Sequence, residues 1–74
     1  MTPMRVFVNA APVDVADGAS ALDCVRGWRD SEAAAVVAGE RVITDSRGLP
    51  VAADSTARPG SIYRTIPNRA ARDE

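Results

Sequence analysis

Seventy-four residues make a single small domain, and a chain of this size buries only about 60% of its unfolded surface. Its 46% hydrophobic share divides into 14 alanines and 20 larger side chains, nine of them valine, so the core must be thin. Ten acidic and nine basic residues leave a net charge of −1 with no block of one sign, which excludes the electrostatic footprint of a nucleic-acid binder.

The opening Met4-Arg5-Val6-Phe7-Val8-Asn9 alternates large apolar groups with others and is rich in β-branched residues, which predicts a first strand. A tight turn at Ala10 and Ala11 then folds Val13-Asp14-Val15 back as an antiparallel second strand. Pro12 cannot donate a ladder hydrogen bond and so places that strand at an edge. Asp17-Gly18-Ala19-Ser20 is a turn ending in an N-cap, with Asp23 placed to complete a capping box. The helix it starts is predicted from Ala21 to Asp30, with Ala21, Cys24, Val25 and Trp28 on its apolar face. Gly27 weakens it by up to about 1 kcal/mol relative to alanine, so packing of Val25 and Trp28 on Val6, Val8 and Val37 must hold it.

Ser31 to Ala35 is compatible with a further helical turn, and Ala35-Val36-Val37-Ala38 reads as a buried strand. Gly39-Glu40 supplies a turn before a strand Arg41-Val42-Ile43-Thr44. The cluster Asp45-Ser46-Arg47-Gly48 leads to Leu49-Pro50-Val51, a second hairpin arm. Ala52 to Pro59 is polar and alanine-rich, without a clear element. Arg58-Pro59-Gly60 launches the last strand, Ser61 to Ile66, which Pro67-Asn68 stops. The domain therefore spans residues 1–68, and 69–74 is expected to be a disordered tail.

Little in this chain points to catalysis. All basic residues are arginine and histidine is absent, which removes Schiff-base lysine, Walker lysine, imidazole and histidine–metal chemistry. Cys24 has no base to deprotonate it and sits on the apolar helix face, where burial makes a thiol inert. The carboxylate pairs Asp14/Asp17 and Asp30/Glu32 lie on short loops and read as solvated. The late arginines 58, 64, 69 and 72 have the chemistry to grip a phosphate or carboxylate, but arginine written for lysine throughout is the ordinary coding bias of a GC-rich, bacterial-type genome. No run approaches the roughly 18 apolar residues of a membrane span, and the chain opens on a strand instead of a signal peptide. The expectation is a cytoplasmic protein with no metal, no cofactor and no enzymatic activity of its own. If Val6 and Val8 face the helix, Phe7 falls on the outer sheet face, where with Tyr63 and Arg64 it forms a candidate protein-docking patch.

The order of these elements, carried by Val6-Phe7-Val8-Asn9, Asp17-Gly18-Ala19-Ser20, Val37 to Ile43 and Arg58-Pro59-Gly60-Ser61, resembles a ubiquitin-like β-grasp, and within it the ThiS/MoaD sulfur-carrier family, nearer to ThiS. The resemblance spans residues 4 to 66. It implies an α+β fold: a mixed sheet of four to five strands, first and last parallel at the centre, with one helix packed across one face. It also implies protein partners, namely an adenylating enzyme or a thiazole or pterin synthase subunit. The family works through a C-terminal Gly-Gly, whose bare backbone threads a narrow channel where a side chain would clash. This sequence ends Pro67 to Glu74 and contains no Gly-Gly. The expected function is therefore a non-catalytic, protein-binding module that keeps the scaffold and lacks the conjugating tail; the alternative is a divergent sulfur carrier for thiamine or molybdopterin biosynthesis.

Overall fold

The computed structural model describes residues 3–68. The predicted tail, 69–74, lies outside them. Two strands, β1 (Pro3–Val8) and β2 (Ala11–Ala16), form an antiparallel hairpin in which Val8 faces Ala11 and Pro3 faces Ala16. The two residues between them carry the turn. Asn9 has φ +52° and Ala10 φ +70°, the paired positive dihedrals of a type I′ turn, whose twist matches that of the strands it joins.

The chain then enters α1 (Ala21–Trp28) through the expected cap: the Asp23 N–H donates to Ser20 Oγ at 3.1 Å and the Ser20 N–H to Asp23 Oδ2 at 3.2 Å. This satisfies two of the backbone donors that a helix start leaves open. Ala21, Cys24 and Val25 are buried beneath it. Trp28 is only partly buried, and the Arg29 guanidinium lies 4.6 Å from its ring centroid. Gly27 has a packing role: a Cβ there would lie 3.0 Å from Val13 Cγ1 and 3.5 Å from Val15 Cγ1, so a bare backbone lets α1 close onto β2.

At Arg29 the backbone becomes extended, φ −160° and ψ 120°, and a second helix, α2 (Asp30–Val37), begins at once. The strand expected at Ala35–Ala38 is therefore absent, and two helices cover the sheet where one was expected. Alanine is the best helix former, and Asp30 and Glu32 stand in the first turn, where the helix dipole favours carboxylates. Ala33 alone of α2 is fully buried, and Val37, expected in the core, is 69% exposed.

The last two strands are β3 (Arg41–Thr44) and β4 (Ile62–Pro67), antiparallel to each other with Val42 opposite Ile66 and Thr44 opposite Arg64. β4 runs parallel to β1, with Phe7 opposite Ile62 and Val8 opposite Tyr63. The result is an α+β domain with a four-stranded mixed sheet in the order β2-β1-β4-β3. Between β3 and β4, the Asp45 carboxylate accepts from the N–H groups of Arg47 (2.8 Å) and Leu49 (3.0 Å) and turns the chain. The expected hairpin arm at 49–51 amounts to an isolated bridge from Thr44 to Pro50 flanked by two bonds, from Asp45 N–H to Leu49 C=O and from Val51 N–H to Ile43 C=O. Residues 52–57 run under α1, where the N–H groups of Ala21 and Leu22 donate to Ser55 and Ala53 carbonyls and Ala57 is buried.

The core lies between the helices and the inner sheet face: Met4, Val6 and Val8 of β1, Val13 of β2, Ile43 of β3, Tyr63 of β4, and Ala21, Cys24, Val25, Ala33 and Ala57 against them. Among the described residues no helix is long and apolar enough to cross a membrane.

Ala10 holds a left-handed conformation without glycine's freedom. Such a conformation costs an L-residue roughly 1 to 2 kcal/mol, against about 0.4 to 1 kcal/mol of unfolded-state entropy that glycine adds. Ala10→Gly should therefore raise unfolding free energy by about 0.5 to 1 kcal/mol in a denaturant melt; a loss of stability would contradict the turn geometry.

Candidate functional site

The pleat divides each strand between two faces, and the helices cover only one. On the face opposite the helices β1 presents Arg5 and Phe7, β2 presents Pro12 and Asp14, β4 presents Ile62, Arg64 and Ile66, and β3 presents Val42 and Thr44, the register bringing Phe7 beside both Pro12 and Ile62, Val42 beside Ile66, and Thr44, itself buried, beside Arg64. Ile62 is 47% exposed and Ile66 43%. Arg64, also exposed, lies between them on the same strand. Arg5 and Asp14 form an ion pair across the hairpin, Nε to Oδ1 at 3.0 Å and Nη2 to Oδ2 at 3.5 Å. The hydrogen bond from Arg5, then its charge, holds the Asp14 carboxyl below the usual carboxylate range.

Of the three residues expected to form a docking patch, the structure places Phe7, half-buried, and Arg64, exposed, on this face. Tyr63 is corrected: it is 6% exposed and belongs to the core, where burial pushes its phenol above the ordinary tyrosine value. Its place is taken by Ile62, with Ile66 and Val42 extending the apolar surface.

The polar groups of the inner side are occupied with one another. The Asn9 amide donates to Thr65 Oγ1 at 3.0 Å and accepts from the Thr65 N–H at 3.1 Å; the Thr65 hydroxyl donates to Glu32 Oε2 at 2.7 Å; Arg41 Nε stands 3.5 Å from the same oxygen. Residues of α2, β3 and β4 thus meet at one carboxylate, which Asn9 reaches only through Thr65, and the Glu32 side chain is only 16% exposed. Of the other carboxylates weighed as acid–base pairs, Asp14 is held by Arg5 and Asp30 lies 4.0 Å from Arg26. Cys24 is fully buried; desolvation, reinforced by Asp23, pushes its thiol pKa upward. Among the described residues no three cysteine or carboxylate side chains converge as a metal site. Arg58 is exposed, and the late arginines 69 and 72 lie outside the described residues. The feature with room for a ligand is the outer sheet face.

Compared with known proteins, the chain matches no family model, no curated protein and no solved structure.

Two measurements check this geometry. Native Cys24 should react with a thiol reagent only through opening of the fold, so that labelling accelerates with denaturant; fast labelling of the folded protein at neutral pH would contradict its burial. Thr65→Val removes the donor to a shielded carboxylate and the partner of Asn9, and should cost about 1 to 3 kcal/mol in a melt; an unchanged midpoint would show that the cluster holds nothing.

Proposed function

We propose that the chain is a non-catalytic, protein-binding β-grasp module, with the scaffold of the ThiS/MoaD sulfur carriers, that docks a protein partner through its outer sheet face. The observation carrying this reading is the pair Ile62 and Ile66, exposed beside Phe7 and Val42 on the sheet face opposite the helices. An apolar surface of this kind gains free energy when a partner removes it from water, at about 25 cal/mol per Å². The strand order β2-β1-β4-β3, with its N-terminal hairpin and parallel central pair, supports the β-grasp assignment. The commitment of the inner polar groups to structural bonds favours binding over catalysis.

The same strand order is what favours the second reading, a divergent sulfur carrier working with an adenylating enzyme or a thiazole or pterin synthase subunit. The binding module stands first on the exposed pair Ile62 and Ile66.

The test combines capture and activation. The double variant Ile62→Asp, Ile66→Asp should stay folded and lose the partner recovered from native-cell extract by at least about tenfold, the equivalent of 1.4 kcal/mol. Incubation of the wild-type chain with a ThiS- or MoaD-type activating enzyme, ATP and a sulfur source should leave its mass unchanged. Undiminished capture by the variant would contradict docking through this face, and a sulfur-for-oxygen mass gain would put the sulfur carrier first.

A further inference from the structure

Along β4 the outer face reads Ile62, Arg64, Ile66, an arginine with an exposed aliphatic side chain two residues to either side. Of the charged groups that the four strands turn to this face, Arg5 and Asp14 neutralise each other at 3.0 Å. Arg64 has no ion-pair partner among the described residues, so among those residues this face carries one uncompensated positive charge, set between the two exposed isoleucines. A partner that covers both isoleucines must also cover Arg64. A guanidinium cannot give up its proton, and burying one without an acceptor costs more than the flanking contacts return. The partner must therefore bring a carboxylate, the group that a guanidinium binds bidentately.

Spacing adds a second condition. Ile62 and Ile66 are separated by four strand residues, about 13 Å along the sheet. A helix rises about 1.5 Å per residue, so side chains eight apart are separated by about 12 Å, and the residue midway between them lies on the same face. The geometry points to an amphipathic helix as the occupant, lying along β4 with two large apolar residues eight apart and an Asp or Glu midway between them. A helix suits the site because the sheet face offers side chains and no free backbone groups, whereas an added strand needs an edge. A second copy of this chain is disfavoured on the same charge argument: an isologous pairing of this face sets Arg64 toward its own mate. The inference rests on the docking reading and specifies its partner.

The experiment is a display selection from a library of helices on a fixed scaffold, randomised on one face, against the wild-type protein and against Arg64→Glu. Arg64 is exposed, and circular dichroism checks that the variant is folded. Selected helices should carry Asp or Glu flanked at four residues on each side by large apolar residues, and bind Arg64→Glu at least tenfold more weakly; selection on the variant should replace the acid by Lys or Arg. Helices that lose binding to Ile62→Asp but show no acidic position and no response to Arg64→Glu would overturn this inference and leave the docking face standing. Helices indifferent to both Ile62→Asp and Arg64→Glu bind elsewhere and would overturn both. Self-association of the protein in sedimentation, abolished by Ile62→Asp, would make the occupant a second copy and overturn the helix.

Discussion

The pairing of β1 with β4 joins strands more than fifty residues apart in sequence, and most other features of the domain are consequences of it. Two parallel strands cannot be joined by a tight turn; the intervening chain must leave the sheet and cross one face. Here the crossing chain contains α1 and α2, and both helices lie against that face. The register of the pair, Val8 opposite Tyr63 and Phe7 opposite Ile62, then decides which side chains they cover. Val6, Val8 and Tyr63 turn inward, and Phe7, Ile62 and Arg64 turn out. A slip of one residue in β4 would exchange Tyr63 for Ile62 and Arg64, placing a guanidinium under the helices.

A core mainly of valines and alanines, with Met4, Cys24, Ile43 and Tyr63 among them, has few large groups with which to fix that register, and polar contacts add to the specification. Asn9 reaches from the hairpin turn to both the backbone and the hydroxyl of Thr65, and Thr65 reaches on to Glu32 of α2. Asn68, at the end of β4, donates its amide to the Gly39 carbonyl at 2.9 Å and its N–H to Glu40 at 3.0 Å. These bonds hold both ends of α2 to the sheet. The same bonds occupy the polar side chains of the covered side, so the chemistry left to the surface is apolar contact and the charge of exposed arginines.

The parts legible in the sequence were those with strong local signals. The alternation of Met4 to Val8, the capping pair Ser20 and Asp23, and the β-branched run before Pro67 each correspond to an observed element. Ala35 to Ala38 misled because a short apolar run suits a strand or a helix equally, and the tie is broken by the extended backbone of Arg29, which lets a second helix start at Asp30. The alanine run and the first-turn carboxylates Asp30 and Glu32 were the local signals that favoured the helix. The outer sheet face was half legible. Adjacent residues of a strand point to opposite faces, so Tyr63 and Arg64 cannot share one. Applied to Ser61 to Ile66, the alternation separates Ile62, Arg64 and Ile66 from Tyr63 and Thr65. Which set is buried depends on the parallel register with β1, and nothing local to β4 encodes it. Gly27 looked like a weak point of a helix; its use, close approach to Val13 and Val15, becomes visible only once β2 is in place.

Contact with a partner is proposed on the sheet face opposite the helices. The most direct measurement places a photo-crosslinking amino acid at single positions in the protein expressed in its native cells, at Ile62 or Ile66 on the outer face and at Arg29 or Val37 on the helical side, all exposed. Crosslinks to one common partner at positions 62 and 66, and none to it at 29 and 37, are the result expected. A partner captured from the helical positions while the outer face stays unlinked would contradict the account.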